Sequence, residues 1–389
     1  MIPYGKQLID KDDIEAVVEV LCSDWLTTGP KVPEFETALA KFVGAKYAVA
    51  VCNGTAALHC AMFVLGIEHG DEVIVPPMTF AATANCVVYQ GGTPVFTDVD
   101  PDTLLIDPDK IEENITPRTK AVIAVDYAGQ PCDYDRLKKI AKKYNLALVA
   151  DACHSLGALY KRQKVGSLAD LNIFSFHPVK HITTGEGGMI TTGDSDYVNR
   201  MRIFRKHGIT TDFHQREKQS SWFYEMTDLG YNYRMTDLQC ALGISQLQKL
   251  PKFLERRCEI AARYDEALAN IPGIEPLGLR ADVLPAKESA MRHALCTSRP
   301  THAYHLYVVR LEGIGRSKVF KALREEGIGV NVHYIPVHLH PFYKKKFHTS
   351  QGLCPIAETA YEQIISIPIF PGMTDEDVEG VIKAIQTVV

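Results

Sequence analysis

Apolar runs of strand length alternate with stretches of helical pattern between residues 47 and 192. The runs occupy residues 47–52, 72–76, 93–99, 120–125, 146–150, 171–176 and 189–192. Continuous apolar runs of this length are typical of strands buried on both faces. Their alternation with helices predicts an α/β fold in which helices cover both faces of a mostly parallel sheet.

Two polar residues stand where such a sheet places its ligands, just beyond the carboxyl ends of strands. Asp151 ends the run at 146–150, and Lys180 follows the run at 171–176, two residues past Pro178, which cannot donate to a ladder. A lysine in an apolar pocket is the usual Schiff-base residue. A carboxylate facing it suits pyridoxal 5'-phosphate, because it pairs with the pyridinium nitrogen. The alternatives are a solvated lysine and a helix N-cap aspartate.

Three motifs in this order resemble the sugar aminotransferases of the DegT/DnrJ/EryC1/StrS family. They are Asp-Ala-x-His-Ser at 151–155, Ser-Phe-His-x-x-Lys at 175–180 and Gly-Glu-Gly-Gly at 185–188. The resemblance runs from about Tyr4 to the C-terminus. It implies a PLP-dependent transferase of fold type I (aspartate aminotransferase-like), with a mostly parallel central sheet in a large domain and a smaller C-terminal α+β domain. It also implies Lys180 as the Schiff-base lysine and Asp151 as the pyridinium partner.

The start of a helix after the strand at 47–52 indicates an anion site. Free backbone N–H groups and the helix dipole favour an anion there, although Asn53 or Thr55 as a simple N-cap is the alternative. The family holds the cofactor phosphate at this position and at Ser175, and an aromatic residue at position 80 stacks on the pyridine ring. The cofactor-binding residues that the resemblance implies, in addition to Lys180 and Asp151, are Gly54, Thr55, Ala56, Phe80, His154, Ser175 and Asn232.

The resemblance assigns substrate contacts to an N-terminal tyrosine, a turn-rich loop, the Gly-Tyr-Asn-Tyr-Arg motif and the His-Tyr-x-Pro segment. The residues are Tyr4, Trp25, Leu26, Thr27, Arg234, His333 and Tyr334. Local alternatives are a packed loop at 23–30 and a capping turn at 230–236. Three histidines between 333 and 340 have no cysteine or carboxylate at ligand spacing nearby, so we predict no metal site.

The family's amino acceptors are nucleotide-linked keto-sugars, and L-glutamate is its usual donor. Segments 126–131, 176–180 and 332–336 most resemble the branch that acts in pseudaminic acid synthesis. This implies C4 amination of UDP-2-acetamido-2,6-dideoxy-β-L-arabino-hex-4-ulose to UDP-4-amino-4,6-dideoxy-N-acetyl-β-L-altrosamine. A GDP-perosamine synthase and other UDP- or dTDP-4-keto-sugar aminotransferases remain open, because a few pocket contacts decide such specificity.

Two further readings compete with transamination. A dehydratase on the same scaffold would lack the lysine, and a non-catalytic sugar-nucleotide sensor would need neither Asp151 nor Lys180. Because Lys180 is present at the family position, transamination is favoured.

The length of 389 residues allows two domains. We predict a large PLP-binding domain at 1–250, with a helix at 236–248. A small domain at 251–389 begins with a connecting helix at 251–268 and includes a strand at 329–335. Residues 281–302 match no motif and are predicted to be a surface insertion.

Charge and hydropathy limit the partners. The net charge of −5 predicts no basic surface for nucleic acid. No apolar run reaches membrane-spanning length and the N-terminus lacks a signal-peptide core, so we expect a cytoplasmic protein without membrane contact. The family match at Asn232 implies a homodimer with active sites at the subunit interface.

Overall fold

The computed structural model describes residues 1–211, 213–218, 220–280 and 301–389, so the predicted insertion at 281–302 lies almost wholly outside the described residues. The described helices are α1 (Lys11–Leu21), α2 (Lys31–Val43), α3 (Gly54–Val64), α4 (Ala82–Tyr89), α5 (Pro108–Ile111), α6 (Tyr134–Tyr144), α7 (Ser195–Phe204), α8 (Phe213–Lys218), α9 (Asp237–Leu268), α10 (Arg316–Glu325), α11 (Pro341–Phe347), α12 (Pro355–Gln363) and α13 (Asp375–Val388). The described strands are β1 (Tyr47–Val51), β2 (Glu72–Val75), β3 (Thr93–Phe96), β4 (Thr119–Val125), β5 (Ala147–Asp151), β6 (Leu159–Tyr160), β7 (Gln163–Lys164), β8 (Leu171–Ser175), β9 (Gly188–Thr192), β10 (Ile274–Pro276), β11 (Tyr307–Leu311) and β12 (Ile364–Ile367).

Seven strands form the central sheet in the order β1-β9-β8-β5-β4-β2-β3. The pairs within β3-β2-β4-β5-β8 are parallel, and β9 is antiparallel to both of its neighbours. The register pairs Val125 with Asp151 and Asp151 with Ile173, so β4, β5 and β8 end side by side. The predicted α/β fold with a mostly parallel sheet is confirmed.

A second, antiparallel sheet has the order β10-β11-β12. Its apolar face joins α13 and the C-terminal half of α9 in a hydrophobic cluster separate from the main core, with Ile260, Tyr264, Val309, Ile365 and Ile382 among its members. This arrangement is a smaller α+β unit beside the large sheet.

Helix α9 passes through Pro251 without ending, so the predicted break between a helix ending at Gln248 and another starting at Pro251 is wrong. Proline costs an interior helix about 3 kcal/mol and one backbone hydrogen bond. Here buried Leu250 and Phe253 flank the proline on the core side. Their packing keeps the two halves in one helix, because tertiary burial outweighs local propensity.

The predicted strand at 329–335 is also wrong. Asn331 makes a single bridge to Ser366, with N–H···O distances of 3.1 and 2.8 Å in the two directions. The Asn331 side chain then accepts from the amide of Val332 at 2.8 Å. Since Pro336 has no N–H to donate, the segment leaves the sheet edge and enters the cavity described below.

The N-terminal segment contacts both the C-terminal unit and helix α9. The amide of Ile2 donates to Gly327 O at 2.8 Å, and Tyr4 O accepts from the amide of Ile369 at 3.2 Å. Further along, Leu8 O accepts from Gln246 on α9 at 2.9 Å. Among the described residues no helix is long and apolar enough to cross a membrane.

Candidate active site

A cavity of about 590 Å³ opens at the carboxyl ends of β4, β5 and β8. It brings together most of the site residues predicted from the sequence. Those that line it are Tyr4, Gly54, Thr55, Phe80, Asp151, His154, Ser175, Lys180, His333 and Tyr334.

Lys180 lies in the loop that joins β8 to β9. The amide of Phe176 donates to Gly187 O at 2.9 Å and closes the base of this loop, and the amide of Lys180 donates to His177 O at 2.9 Å. Desolvation by burial lowers the pKa of the Lys180 amine, while the nearby Cys153 and Asp151 raise it less. The net direction favours the neutral amine that a Schiff-base lysine needs.

Asp151 is the last residue of β5 and is buried. Its Oδ2 accepts from the hydroxyl of Thr83 at 2.7 Å, and its Oδ1 accepts from the amide of Cys153 at 3.3 Å. Thr83 in turn shares a hydrogen bond of 2.8 Å with Thr79. No helix starts after Asp151, so the N-cap alternative is wrong. Each carboxylate oxygen can accept a second bond, which leaves capacity for a protonated ring nitrogen.

The start of α3 and the end of β8 form a narrow cradle. A Cβ on Gly54 would lie 2.9 Å from Ser175 Cβ, and a Cβ on Gly188 would lie 2.4 Å from the carbonyl oxygen of Asn53. Glycine at both positions therefore lets the helix start approach the strand ends. The first amides of a helix lack intrahelical partners, and the helix dipole attracts anions. Ser175 adds a hydroxyl, so this cradle fits a phosphate group.

Ala56 has a different position from its neighbours. The amide of Ala56 donates to the side chain of Asn53 at 2.8 Å, and Asn53 is the N-cap of α3. The structure thus confirms the capping alternative for Asn53. A phosphate bound at Ala56, as predicted, would therefore have to share an amide that already donates to Asn53.

Aromatic and histidine rings form one wall of the cavity. Tyr334 OH lies 3.1 Å from His154 Nε2, and the Phe80 ring lies 6.2 Å from that of Tyr334. The rings of Tyr4 and His333 are 5.3 Å apart. Burial, with a smaller effect of the Lys180 charge, lowers the pKa of His333 to about 3. The same causes hold the pKa of His154 well below its usual range, so this wall is uncharged near neutral pH.

Besides Ala56, five predicted site residues do not line this cavity: Trp25, Leu26, Thr27, Asn232 and Arg234. They lie near the start of α9, where Leu26 O accepts from the amide of Asp237 at 3.1 Å and Thr27 forms a bridge with Thr236. Asn232 is exposed and bridges to Lys206. In the described part of the chain, none of this second group lines the cavity.

The cavity also contains residues that the sequence did not single out, notably Thr83, Glu186, His305 and Asn331. Neither Thr83 nor His305 carried a local sequence signal, because their partners Asp151 and Lys180 lie 68 and 125 positions away.

Within the described residues no three His, Cys, Asp or Glu side chains stand close enough together to hold a metal ion. Of the three histidines between 333 and 340, His333 shares a hydrogen bond of 2.9 Å with Ser366. His338 lies 2.8 Å from Glu358.

Comparisons with known proteins place these features in context. The sequence profile described as the DegT/DnrJ/EryC1/StrS aminotransferase family matches residues 7–386. The spore coat polysaccharide biosynthesis protein SpsC of Bacillus subtilis (strain 168) is 42% identical, covering 100% of this chain and 97% of the relative.

Two solved structures are similar over the whole chain. Spr1654 from Streptococcus pneumoniae, assigned as a sugar aminotransferase and solved in a PMP form, has a TM-score of 0.90 and 34% identity, covering 100% of this chain and 99% of its own. Helicobacter pylori PseC, an aminotransferase involved in the biosynthesis of pseudoaminic acid, has a TM-score of 0.88 and 33% identity, covering 100% and 98%.

Proposed function

The chain belongs to the DegT/DnrJ/EryC1/StrS aminotransferase family, and on this premise we propose that it aminates the C4 keto group of a nucleotide-linked 4-keto-6-deoxy sugar, with L-glutamate as donor. It is a sugar aminotransferase, and its cofactor is pyridoxal 5'-phosphate. The observation that carries the proposal is the common cavity of Lys180, Asp151 and the cradle between Gly54 and Ser175.

The residues of the cavity fit this cofactor. Lys180 would hold it covalently, Asp151 would pair with the ring nitrogen, and Gly54, Thr55 and Ser175 would hold the phosphate. When bound, pyridoxal phosphate supplies an electron sink for the carbon that loses or gains the amino group. The chain supplies orientation and a fixed negative charge beside the ring nitrogen.

Lys180 has a second task in this proposal. Once free of the cofactor, its Nζ would accept the proton that leaves the α-carbon of the amino donor and, in the second half of the reaction, would donate a proton to C4 of the sugar. Such a general base must be neutral, and the burial that lowers the pKa of Lys180 acts in that direction.

The uncharged wall suits the sugar. Tyr4, His333 and Tyr334 present hydroxyl and imidazole groups at the cavity, and Phe80 is 62% exposed at its edge. We propose that these groups bind the hydroxyl and acetamido substituents. The preferred substrate is UDP-2-acetamido-2,6-dideoxy-β-L-arabino-hex-4-ulose, by the resemblance at 126–131, 176–180 and 332–336.

The diphosphate needs positive charge that this cavity lacks in one chain. Among its described lining residues, Lys180 is the one lysine or arginine. We therefore propose that a second subunit completes the site, bringing Asn232 to the cofactor phosphate and Arg234 to the nucleotide.

A surface of suitable character exists for this contact. We name residues 222–234 the exposed flank; it includes Trp222, Met226 and Leu229, whose exposed fractions are 86%, 66% and 76%. Exposed apolar groups clustered in this way are typical of interaction sites. A two-fold homodimer would make the exchange of Asn232 reciprocal.

Product analysis with a panel of UDP-, GDP- and dTDP-linked 4-keto sugars tests the function. With L-glutamate as donor, we expect a C4-amino product from the UDP-linked N-acetyl sugar at the highest kcat/KM. Lys180→Ala protein in parallel controls for a contaminating enzyme. A GDP- or dTDP-linked sugar turned over faster would replace the proposed substrate, and a deoxygenated product would contradict transamination.

A further inference from the structure

His305 faces Lys180 and is the one residue of the described stretch 301–311 that lines the cavity. Its Nε2 lies 3.4 Å from Lys180 Nζ, a long hydrogen bond, and its ring centroid is 4.2 Å from that of His154. His305 is buried, and its Nδ1 has no hydrogen-bond partner among the described residues. The contact with Lys180 is therefore the one hydrogen bond of this ring in the described part of the chain.

The backbone around His305 is held from two sides. The amide of Ala303 donates to Gly129 O at 2.8 Å, and the amide of Leu306 donates to Ala128 O at 3.1 Å. A Cβ on Gly129, whose φ is +113°, would lie 3.0 Å from His305 N, so a glycine is required for this close approach. From below, the buried guanidinium of Arg257 donates to His305 O at 3.5 Å. The backbone that carries the imidazole is thus held in place.

Its surroundings keep His305 uncharged. Burial first, and then the charge of Lys180 and the neighbouring His154, His181 and Arg257, hold the pKa of His305 well below its usual range. A neutral imidazole next to an amine can accept a hydrogen bond from it and adds no repelling charge.

We propose that His305 is a positioning residue for Lys180: its Nε2 accepts a hydrogen bond from Nζ whenever the amine is not linked to the cofactor. The bond holds the free amine inside the cavity, beside the carbons between which it moves a proton. This inference rests on the role proposed above for Lys180, which has four rotatable side-chain bonds and no other hydrogen bond from Nζ among the described residues.

The first test uses the cofactor-free protein, so that it does not depend on the sugar. Trace acetylation with acetic anhydride over a pH series, followed by peptide mapping, gives the pKa and reactivity of Lys180. In His305→Phe the ammonium loses its acceptor, so we expect the pKa of Lys180 to fall below the wild-type value. His305→Gln retains an acceptor oxygen and should stay near wild type.

The matched control is His181→Phe. His181 belongs to the same buried group, 5.6 Å from the His305 ring, but its Nε2 lies 3.1 Å from Ala303 O and makes no hydrogen bond to Lys180 among the described residues. We expect it to leave the pKa of Lys180 unchanged. Circular dichroism checks the fold, and His305→Leu serves as the apolar variant if the phenylalanine does not fit.

Kinetics on the cofactor-loaded enzyme give the second readout. Loss of one positioning hydrogen bond should lower kcat roughly tenfold in His305→Phe, with little change in the KM for glutamate, while His305→Gln recovers most of the loss. An unchanged or raised pKa of Lys180 in the apolar variants, or equal effects of Gln and Phe, overturns the proposal. Absence of sugar product in the wild type would instead contradict the proposed function alone.

Discussion

The cavity and the exposed flank are built in opposite ways. Around the cavity, Asp151 receives two hydrogen bonds, Lys180 contacts His305, and Gly54 closes against Ser175. On the flank, large apolar side chains reach solvent in a single chain. The side chains that carry the chemistry are therefore held in place within one chain, whereas an uncovered apolar surface is typical of an interaction site. We infer that the chemistry resides in the cavity and that the flank serves the neighbouring subunit.

Among substitutions in the cavity, Lys180→Ala should have the largest effect. We expect transamination to fall below detection while the fold persists, because the covalent anchor and the proton carrier are lost together. Borohydride reduction of wild-type holoprotein and peptide mapping should place the pyridoxyl label on Lys180. A label on another lysine, or none, would remove Lys180 from this role.

Asp151→Asn is the next largest expected effect. The amide cannot supply the negative charge beside the ring nitrogen, so kcat should fall on the order of 10³-fold or more. Thr83→Val is a useful companion, because it removes one bond to Asp151 and keeps the carboxylate; its loss should be much smaller. An Asp151→Asn enzyme with more than about a tenth of wild-type kcat, a loss near 1.4 kcal/mol, would mean that Asp151 only supports the loop.

The sequence could predict those features of the fold and the site that leave a local pattern in it. Strands buried on both faces leave continuous apolar runs, and the ends of those runs located Asp151 and Lys180. Thr83 and His305 were missed because their partners lie 68 and 125 positions away, and such long-range contacts leave no periodic pattern. The helix through Pro251 was missed because packing of the helix face outweighed the proline signal.

Other predictions concern contacts between subunits, which a single chain does not contain. Asn232 and Arg234 were chosen by family resemblance, and neither is among the described residues that line the cavity. Their roles therefore remain predictions. The division into a domain at 1–250 and another at 251–389 also stays a prediction, although the second hydrophobic cluster begins within the C-terminal half of α9.

A mixed dimer tests whether the flank completes the cavity. Lys180→Ala and Asn232→Ala proteins should each be impaired, but a heterodimer has one site with both residues intact and one site lacking both. Purified through two different tags, it should recover roughly half of wild-type activity, by the reciprocity of a two-fold interface. The matched control is the heterodimer of wild type with the Lys180→Ala, Asn232→Ala double variant, which should have no intact site.

The result discriminates cleanly between the two arrangements. If Asn232 acts within its own subunit, the heterodimer of single variants has no complete site and stays at the single-variant level. In that arrangement the wild-type and double-variant control would instead retain one complete site. Activity in the heterodimer of wild type with the double variant, and none above the single-variant level in the heterodimer of single variants, would thus contradict the shared site.

The smallest effect on activity is expected for a buried carboxylate that lies next to the cavity without lining it. Asp126 follows β4 beside Asp151 but does not line the cavity; it accepts from the hydroxyls of Ser155 and Tyr134 at 2.6 and 2.8 Å. Desolvation by burial raises the pKa of Asp126 from 3.8 to about 6. The native state then binds this proton more tightly than the unfolded state. The contribution of Asp126 protonation to the free energy of unfolding is therefore complete below about pH 4 and is lost as pH rises through about 6.

Asp126→Asn removes that titration. Relative to wild type, the variant should gain up to about 3 kcal/mol in its free energy of unfolding between pH 4 and pH 8, because two pKa units correspond to that energy. Chemical denaturation of both proteins across this range measures the difference, with Asp151 untouched in each. A constant difference across the range would mean that Asp126 is already ionised in the folded protein, with the hydrogen bonds from Ser155, Tyr134 and the amide of Cys132 outweighing burial. Activity should change little at a pH where both proteins are folded, since it is Asp151, not Asp126, that faces the cavity.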